Sequence, residues 1–357
     1  MINLLFCGDI MPGGVLPYQN SYISQGLLQF LQSFDLRIGT LECAIGTGLP
    51  YDKSKMEGNK NIVYARDEDL YRLCEMNFNV VSLANNHVFD LGELGLKNTI
   101  KILEENNIAY VGAGMNLEQA SRPAVIRIQG KTIALLAACM YGNKYLGYIE
   151  LAGDNKSGVN PLIIDTICKD IVSAKEKYDY VFVMPHWGRE HDLFPMNECV
   201  SMARTMIEAG ADGVFGSHAH VPQPRITYKK KPICFGMGNF LFPDFYLYPP
   251  RPVWYPNKDF DLSSIKIRKG YPDYVTEPSR ATWGKMERIG EMVICNIANG
   301  IKTSLRLVQM SENNTLSFCS NYKKVARKLS FIGLQLRYPL TKSLYLRIKR
   351  VLYFGHK

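Results

Sequence analysis

The amino-acid sequence predicts an α/β protein whose helices cover its sheets, and three observations carry that expectation. Apolar runs of strand length alternate with stretches of helical spacing from Ile2 to about residue 241, as in strand–helix units stacked into layers. Residues able to bind metals stand where the predicted strands end, the edge at which sites gather in such folds. Hydrophobic residues make up 46% of the 357-residue chain and charged ones 21%. That balance excludes a disordered protein and is enough for one large domain or two smaller ones.

In chain order, residues 2–7 read as a buried strand, followed at once by Gly8-Asp9 and a Pro-Gly-Gly turn. Residues 21–33 have helical spacing, and 36–41 form a second strand ending at Glu42. A helix over 67–76 precedes a third strand, 79–83, which runs into Ala84-Asn85-Asn86-His87. Residues 92–106 make an amphipathic helix with Leu94, Leu96, Ile100 and Leu103 assigned to its apolar side. Strands are expected at 108–111, 124–129 and 132–138, a helix at 165–177, and a strand at 180–184 ending in Pro185-His186. A helix near 196–209 leads to the short apolar run 213–215 and then Gly216-Ser217-His218-Ala219-His220. Two strands around a turn at Lys229-Lys230-Lys231 close at Gly236-Met237-Gly238-Asn239-Phe240. Residues 242–285 are rich in proline and aromatics and read as a long insertion crossing the surface, either a substrate wall or an ordered loop. Residues 291–298 and 303–309 resemble a closing hairpin. The domain expected over 1–315 includes that insertion, and 316–357 form a basic amphipathic tail.

The two histidines of the 216–220 stretch, two residues apart after an apolar run, are expected on one side of an extended backbone. Neutral imidazole is a common ligand for zinc, iron and related metals. The pair can hold one metal between them or give one ligand to each of two. Asp9, Glu42, Asn86 and His186 occupy the ends of four other predicted strands, so the pair reads as the last piece of a metal site.

Nine cysteines lie scattered without CxxC spacing, mostly inside apolar runs, which argues for free thiols in a reducing compartment. No signal-peptide pattern and no run of about 18 apolar residues is present, so a cytoplasmic location is expected, peripheral at the inner face of the membrane if the tail binds lipid. The net charge of +9 sits in that tail. From residue 321 onward there are ten Lys or Arg and no acid, leaving 32 basic against 33 acidic groups in the rest. Residues 341–354 can form a basic amphipathic helix, suited to an anionic membrane or an acidic partner, or to packing back on the body. No nucleic-acid partner is expected, because the body is neutral and carries no binding module.

The motifs Phe6-Cys7-Gly8-Asp9, Gly39-Thr40-Leu41-Glu42, Leu83-Ala84-Asn85-Asn86-His87-Val88-Phe89-Asp90, Pro185-His186-Trp187-Gly188-Arg189-Glu190, Gly216-Ser217-His218-Ala219-His220 and Gly236-Met237-Gly238-Asn239-Phe240 occur in this order. In content and order they closely resemble the CapA-type family of poly-γ-glutamate capsule synthesis proteins, itself similar to the calcineurin-like metallophosphoesterases. The resemblance covers roughly residues 2–241. It implies a metallophosphatase-like four-layer α-β-β-α sandwich with two divalent metal ions (Mn, Fe or Zn). By position, Asp9 would bind the first metal, Glu42 would bridge, Asn86, His186 and His218 would bind the second, and His220 would return to the first. His87 would stand near the leaving group as the catalytic acid. Asp90 would orient His87 or cap the following helix. Glu190, His191 and Asn239 would support the ligands. Two departures from the phosphoesterase pattern stand out: Met11 occupies the position of a usual ligand histidine, and the bridging residue is Glu42 in place of aspartate.

The function this implies is a divalent-metal-dependent phosphoesterase-like hydrolase in capsule, poly-γ-glutamate or surface-polysaccharide biosynthesis, acting on a phosphorylated or acidic polymer. The alternative is a non-catalytic accessory or scaffold protein of a membrane-bound capsule synthesis complex.

Overall fold

The computed structural model describes residues 1–51, 61–142, 149–270, 272, 274–298 and 300–320. The tail from 321 onward, with its expected helix and membrane contact, lies outside the described residues.

Two sheets face each other. One has the order Leu316–Phe318, Ile301–Met310, Ile289–Ile297, Ile2–Ile10, Leu36–Leu41, Val80–Ser82, Ala109–Val111, with Asn239–Leu241 also paired to the first strand. Its four strands from Ile2–Ile10 to Ala109–Val111 run parallel, Ile289–Ile297 pairs antiparallel with Ile2–Ile10, and Ile301–Met310 pairs antiparallel with Ile289–Ile297. The other has the order Arg225–Tyr228, Lys231–Cys234, Gly213–Phe215, Tyr180–His186, Lys131–Cys139, Ala124–Ile128, with its four inner strands parallel. Strands buried on both faces need apolar residues throughout. The first strand follows that rule, with Leu4, Leu5, Phe6 and Cys7 all buried.

The sheets meet through aromatic side chains. Phe6 stacks on Phe215 with ring centroids 3.8 Å apart and meets Phe182 edge-on at 5.4 Å. Outside, helices Ile164–Lys177 and Asn197–Glu208 pack on the second sheet, while Gln25–Gln32 and Gly92–Glu105 pack against the first and its loops. This is the α/β sandwich that the family resemblance implies. All nine cysteines are free thiols, and among the described residues no helix is long and apolar enough to cross a membrane.

Four expectations change. Leu94 is exposed while Leu96, Thr99 and Leu103 are buried, because residues two apart on a helix lie about 200° around its axis. Strand Ile2–Ile10 extends past residue 7, and Tyr180–His186 past residue 184, so Asp9 and His186 lie inside their strands. The 242–285 insertion is not a surface loop: it forms a sheet in the order Val253–Trp254, Phe245–Leu247, Ser279–Thr282, Lys266–Lys269. Phe245, Leu247 and Val253 join the main core, since Phe245 and Leu247 alternate with Tyr246 as strand residues do. Lastly, Leu316–Phe318, assigned by sequence to the tail, pairs with Ile301–Met310 as an edge strand.

Candidate metal centre

The parallel strands of both sheets end at one place, and the polar residues there converge. Asp9 is the last residue but one of the first strand and Glu42 follows the second. Asn86 and His87 follow Val80–Ser82, His186 ends Tyr180–His186, and His218 and His220 follow Gly213–Phe215. Close backbone approach brings the strand ends together. The Asp9 N–H donates to the Gly238 carbonyl at 2.9 Å, and a Cβ on Gly8 would lie 1.8 Å from that same oxygen, so only glycine fits before Asp9.

Two ligand groups share one carboxylate. Glu42, His186 and His218 form one, and Asp9, Glu42 and His220 form the other, with ligand atoms in each within 4.8 Å of one another and every residue buried. His186 Nε2 lies 3.4 Å from Glu42 Oε1 and 2.8 Å from Asn86 Oδ1. His220 Nε2 lies 3.7 Å from the same Glu42 oxygen, and its Nδ1 is 3.9 Å from Asp9 Oδ2. Both Glu42 oxygens and Asp9 Oδ1 are buried without a hydrogen-bond donor among the described residues. Buried carboxylate oxygens without donors are costly. A divalent cation would satisfy them, and the mixed imidazole–carboxylate donors suit Mn, Fe or Zn. The residues therefore fit a metal.

Electrostatics agree with that fit. Burial raises the carboxyls of both Asp9 and Glu42, and the Asp9 charge pushes Glu42 up further. Burial also lowers the imidazoles of His186 and His220, helped by neighbouring histidines. The imidazoles are thus neutral, with lone pairs available, while the carboxyls lack the positive countercharge that would ionise them.

Around the cluster, other groups fix orientation. Asp90 Oδ2 bonds His87 Nδ1 at 2.7 Å and accepts the Val63 N–H at 2.7 Å. It does not cap the following helix, whose N-cap is Leu91; of the two roles expected for Asp90, the contact present is the one that orients His87. The His218–His220 backbone is not extended: their φ values of 88° and 54° curl the loop. The strand rule fails there because both residues occupy the left-handed region, a strain typical of functional loops. His218 N–H donates to Asp9 Oδ2 at 3.2 Å. Asn239 Oδ1 lies 2.8 Å from His220 Nδ1. Glu190 and His191 stand at the exposed rim, with 3.8 Å between Glu190 Oε2 and His191 Nε2. Met11 is buried, and its sulfur accepts the Gly13 N–H at 3.2 Å.

Sequence reasoning missed four contributors. Asn85 Oδ1 accepts the N–H groups of His87 and Val88, while its amide donates to the Leu41 carbonyl, tying two loops together. Ser217 Oγ lies 2.9 Å from His186 Nδ1. Glu287 and Trp283, from a turn far along the chain, touch Asn239 and His220. Asn85 and Ser217 sit inside quoted motifs and their polarity was a usable signal; the 283–288 turn carried none.

A two-sheet α/β sandwich with a buried carboxylate shared between two histidine-containing groups defines the class: an α/β protein with a candidate metal centre at its strand ends. Within that class, the chain belongs to the bacterial capsule synthesis protein PGA_cap family, whose model matches residues 3–244. It is 31% identical over 251 residues to the capsule biosynthesis protein CapA of Bacillus anthracis, a match covering 68% of this chain and 60% of that protein. It is 29% identical over 169 residues to a Mycobacterium tuberculosis protein described as "Probable polyglutamine synthesis accessory protein", covering 45% of this chain and 44% of that one. The matched stretch thus spans about three-fifths or less of these relatives' own lengths. Among solved structures, the calcineurin-like phosphoesterase YfkN of Bacillus subtilis superposes with a TM-score of 0.45 at 12% identity, covering 93% of this chain and 98% of that one. That likeness is loose, and no chemistry is drawn from it.

Proposed function

We propose that this chain is a hydrolase that uses two divalent metals to cleave a phosphate ester in the making of a capsule or a related acidic surface polymer. The observation that carries the reading is the shared Glu42 carboxylate, both of whose buried oxygens lack a donor while two histidine-containing groups converge on it. Asp9 and His220 would hold one metal, His186, His218 and Asn86 the other, with Glu42 between them. Bound there, the metals supply an acidified water and charge stabilisation for an in-line displacement at phosphorus. The chain's own residues do the rest. Asp90 fixes His87 through Nδ1, which leaves Nε2 as the atom to carry a proton to the departing oxygen. Burial of the ligands excludes bulk water from the reacting region. The place in polymer synthesis rests on family membership, and a phosphorylated or acidic polymer is the substrate class that reading favours.

Metal content of the purified chain, measured by mass spectrometry beside hydrolysis of bis-p-nitrophenyl phosphate with added Mn²⁺, tests the proposal. Near two metals per chain, with metal and activity lost in Glu42→Ala and His218→Ala, is the expected result. No tight metal under manganese- and iron-replete conditions would overturn it.

A second reading, an accessory protein that binds an acidic polymer without turnover, is favoured by Met11. Its sulfur is engaged with Gly13, so the first metal has a smaller ligand set than the phosphoesterase pattern provides. The accessory description of the mycobacterial relative points the same way. One retained metal, polymer binding and no hydrolysis of any ester would select it. Contact of residues 321–357 with anionic membrane belongs to either reading.

A further inference from the structure

His220 is held from a part of the chain that lies beyond the family-matched residues. Asn239 is the link: its Oδ1 is 2.8 Å from His220 Nδ1, and its Nδ2 donates to the Glu287 carbonyl at 2.9 Å. A carbonyl can only accept, so the Glu287 bond decides which way the Asn239 amide faces. The amide oxygen then accepts from Nδ1–H, and His220 Nε2 keeps its lone pair on the side of Glu42. Trp283 packs 5.1 Å from the His220 ring, and Phe242 meets both rings edge-on at 5.2 Å. The indole is itself pinned. Trp283 Nε1 donates to the Pro243 carbonyl at 3.0 Å, and its backbone N–H to Asp244 Oδ1 at 3.2 Å. Arg288 Nη2 reaches the same Asp244 oxygen at 2.6 Å, and Arg280 and Asn314 bond the other.

We infer that the 283–288 turn, outside residues 3–244, is the positioning element for His220: the Glu287 carbonyl sets its tautomer through Asn239, and Trp283 sets its ring plane. The inference deepens the metal reading above, because a fixed Nε2 lone pair matters most as a ligand. Side chains that orient a ligand imidazole typically change metal affinity about 10–100-fold. The effect here is confined to the group containing His220. His186 takes its own orientation from Ser217 through Nδ1.

The test uses the full chain with ¹⁵N-labelled histidine, observed by long-range ¹H–¹⁵N correlation without metal, and then calorimetric titration with Zn²⁺. The wild-type His220 signal should report the Nδ1–H tautomer. Asn239→Leu should release it, Trp283→Leu should broaden it toward a tautomer mixture, and Trp283→Phe, which keeps a ring wall, should fall between. Glu287→Gln keeps the carbonyl and should leave His220 unchanged while altering only His191, whose Nδ1 is 3.3 Å from the Glu287 carboxylate. In the titration, one Zn²⁺ step should weaken about 10–100-fold in Trp283→Leu and the other should not move. An unchanged His220 tautomer in Asn239→Leu, or equal weakening of both Zn²⁺ steps in Trp283→Leu, overturns the inference. If wild type shows the locked tautomer but binds no Zn²⁺, the positioning stands and the metal reading falls, so the two failures are distinct.

Discussion

Replacing Glu291 by glutamine should raise stability at neutral pH and leave it nearly unchanged in mild acid. Glu291 lies in strand Ile289–Ile297, fully buried, with both carboxylate oxygens lacking a hydrogen-bond donor among the described residues. Burial pushes its carboxyl from 4.5 up to about 8, opposed only weakly by the Arg225 charge. The folded chain therefore holds this proton more tightly than the unfolded chain does. Its contribution to stability is full below about pH 4.5 and is lost progressively as pH rises toward 8. At about 1.4 kcal/mol per pH unit, the wild-type protein forfeits on the order of 3 kcal/mol by pH 7 from this one group, an upper bound because water can penetrate to a buried charge. Glutamine cannot ionise, and its amide replaces a protonated carboxyl of similar size and hydrogen-bonding need. Urea unfolding of both proteins at half-unit steps from pH 5 to 8, in chelator, would show their free energies diverging as pH rises. Asp9 and Glu42 shift both curves alike, so the difference isolates Glu291. Parallel curves would refute the reasoning and mean that Glu291 is ionised and solvated in the folded protein.

Three further outcomes are expected. His87→Asn should lower kcat about 10²–10⁴-fold with metal content unchanged, and Asp90→Asn should lower it less, because the amide oxygen still reaches His87; the check is metal analysis beside steady-state kinetics. Metal binding should release protons and weaken as pH falls, since burial raises the carboxyls of Asp9 and Glu42; calorimetry in buffers of different ionisation enthalpy reads the proton count. Phe215→Ala should cost about 3–5 kcal/mol, through loss of its stack on Phe6 between the sheets, measurable as a drop in urea midpoint at constant slope.

What the sequence made legible follows from the kind of pattern each feature leaves. Asp9, Glu42, Asn86, His186, His218 and His220 were readable because each breaks an apolar strand run with a ligand-type residue, a contrast visible within a few positions. Strand positions were readable for the same reason, down to both ends of Leu36–Leu41. The insertion was misread because its prolines outweighed the alternation of Phe245, Tyr246 and Leu247, a shorter but better strand signal. The curled backbone at His218 and His220 was hidden, because spacing alone assumes extended geometry and neither residue is a glycine that would advertise positive φ.

The least legible layer is the one that aims the ligands. The bond between Asn239 and Glu287 spans 48 residues, the one between His186 and Ser217 spans 31, and that between Asn85 and Leu41 spans 44. Such contacts obey no period, because they are set by how loops from different strands meet and not by the run of residues within any one of them. A backbone carbonyl such as that of Glu287 leaves no mark in a sequence at all, since every residue has one. That is the physical reason a site's candidate ligands can be named from sequence while their orientation cannot. It also explains how orientation can come from a stretch such as 283–288, which lies outside residues 3–244: two relatives could keep every ligand and still differ in how tightly His220 is held.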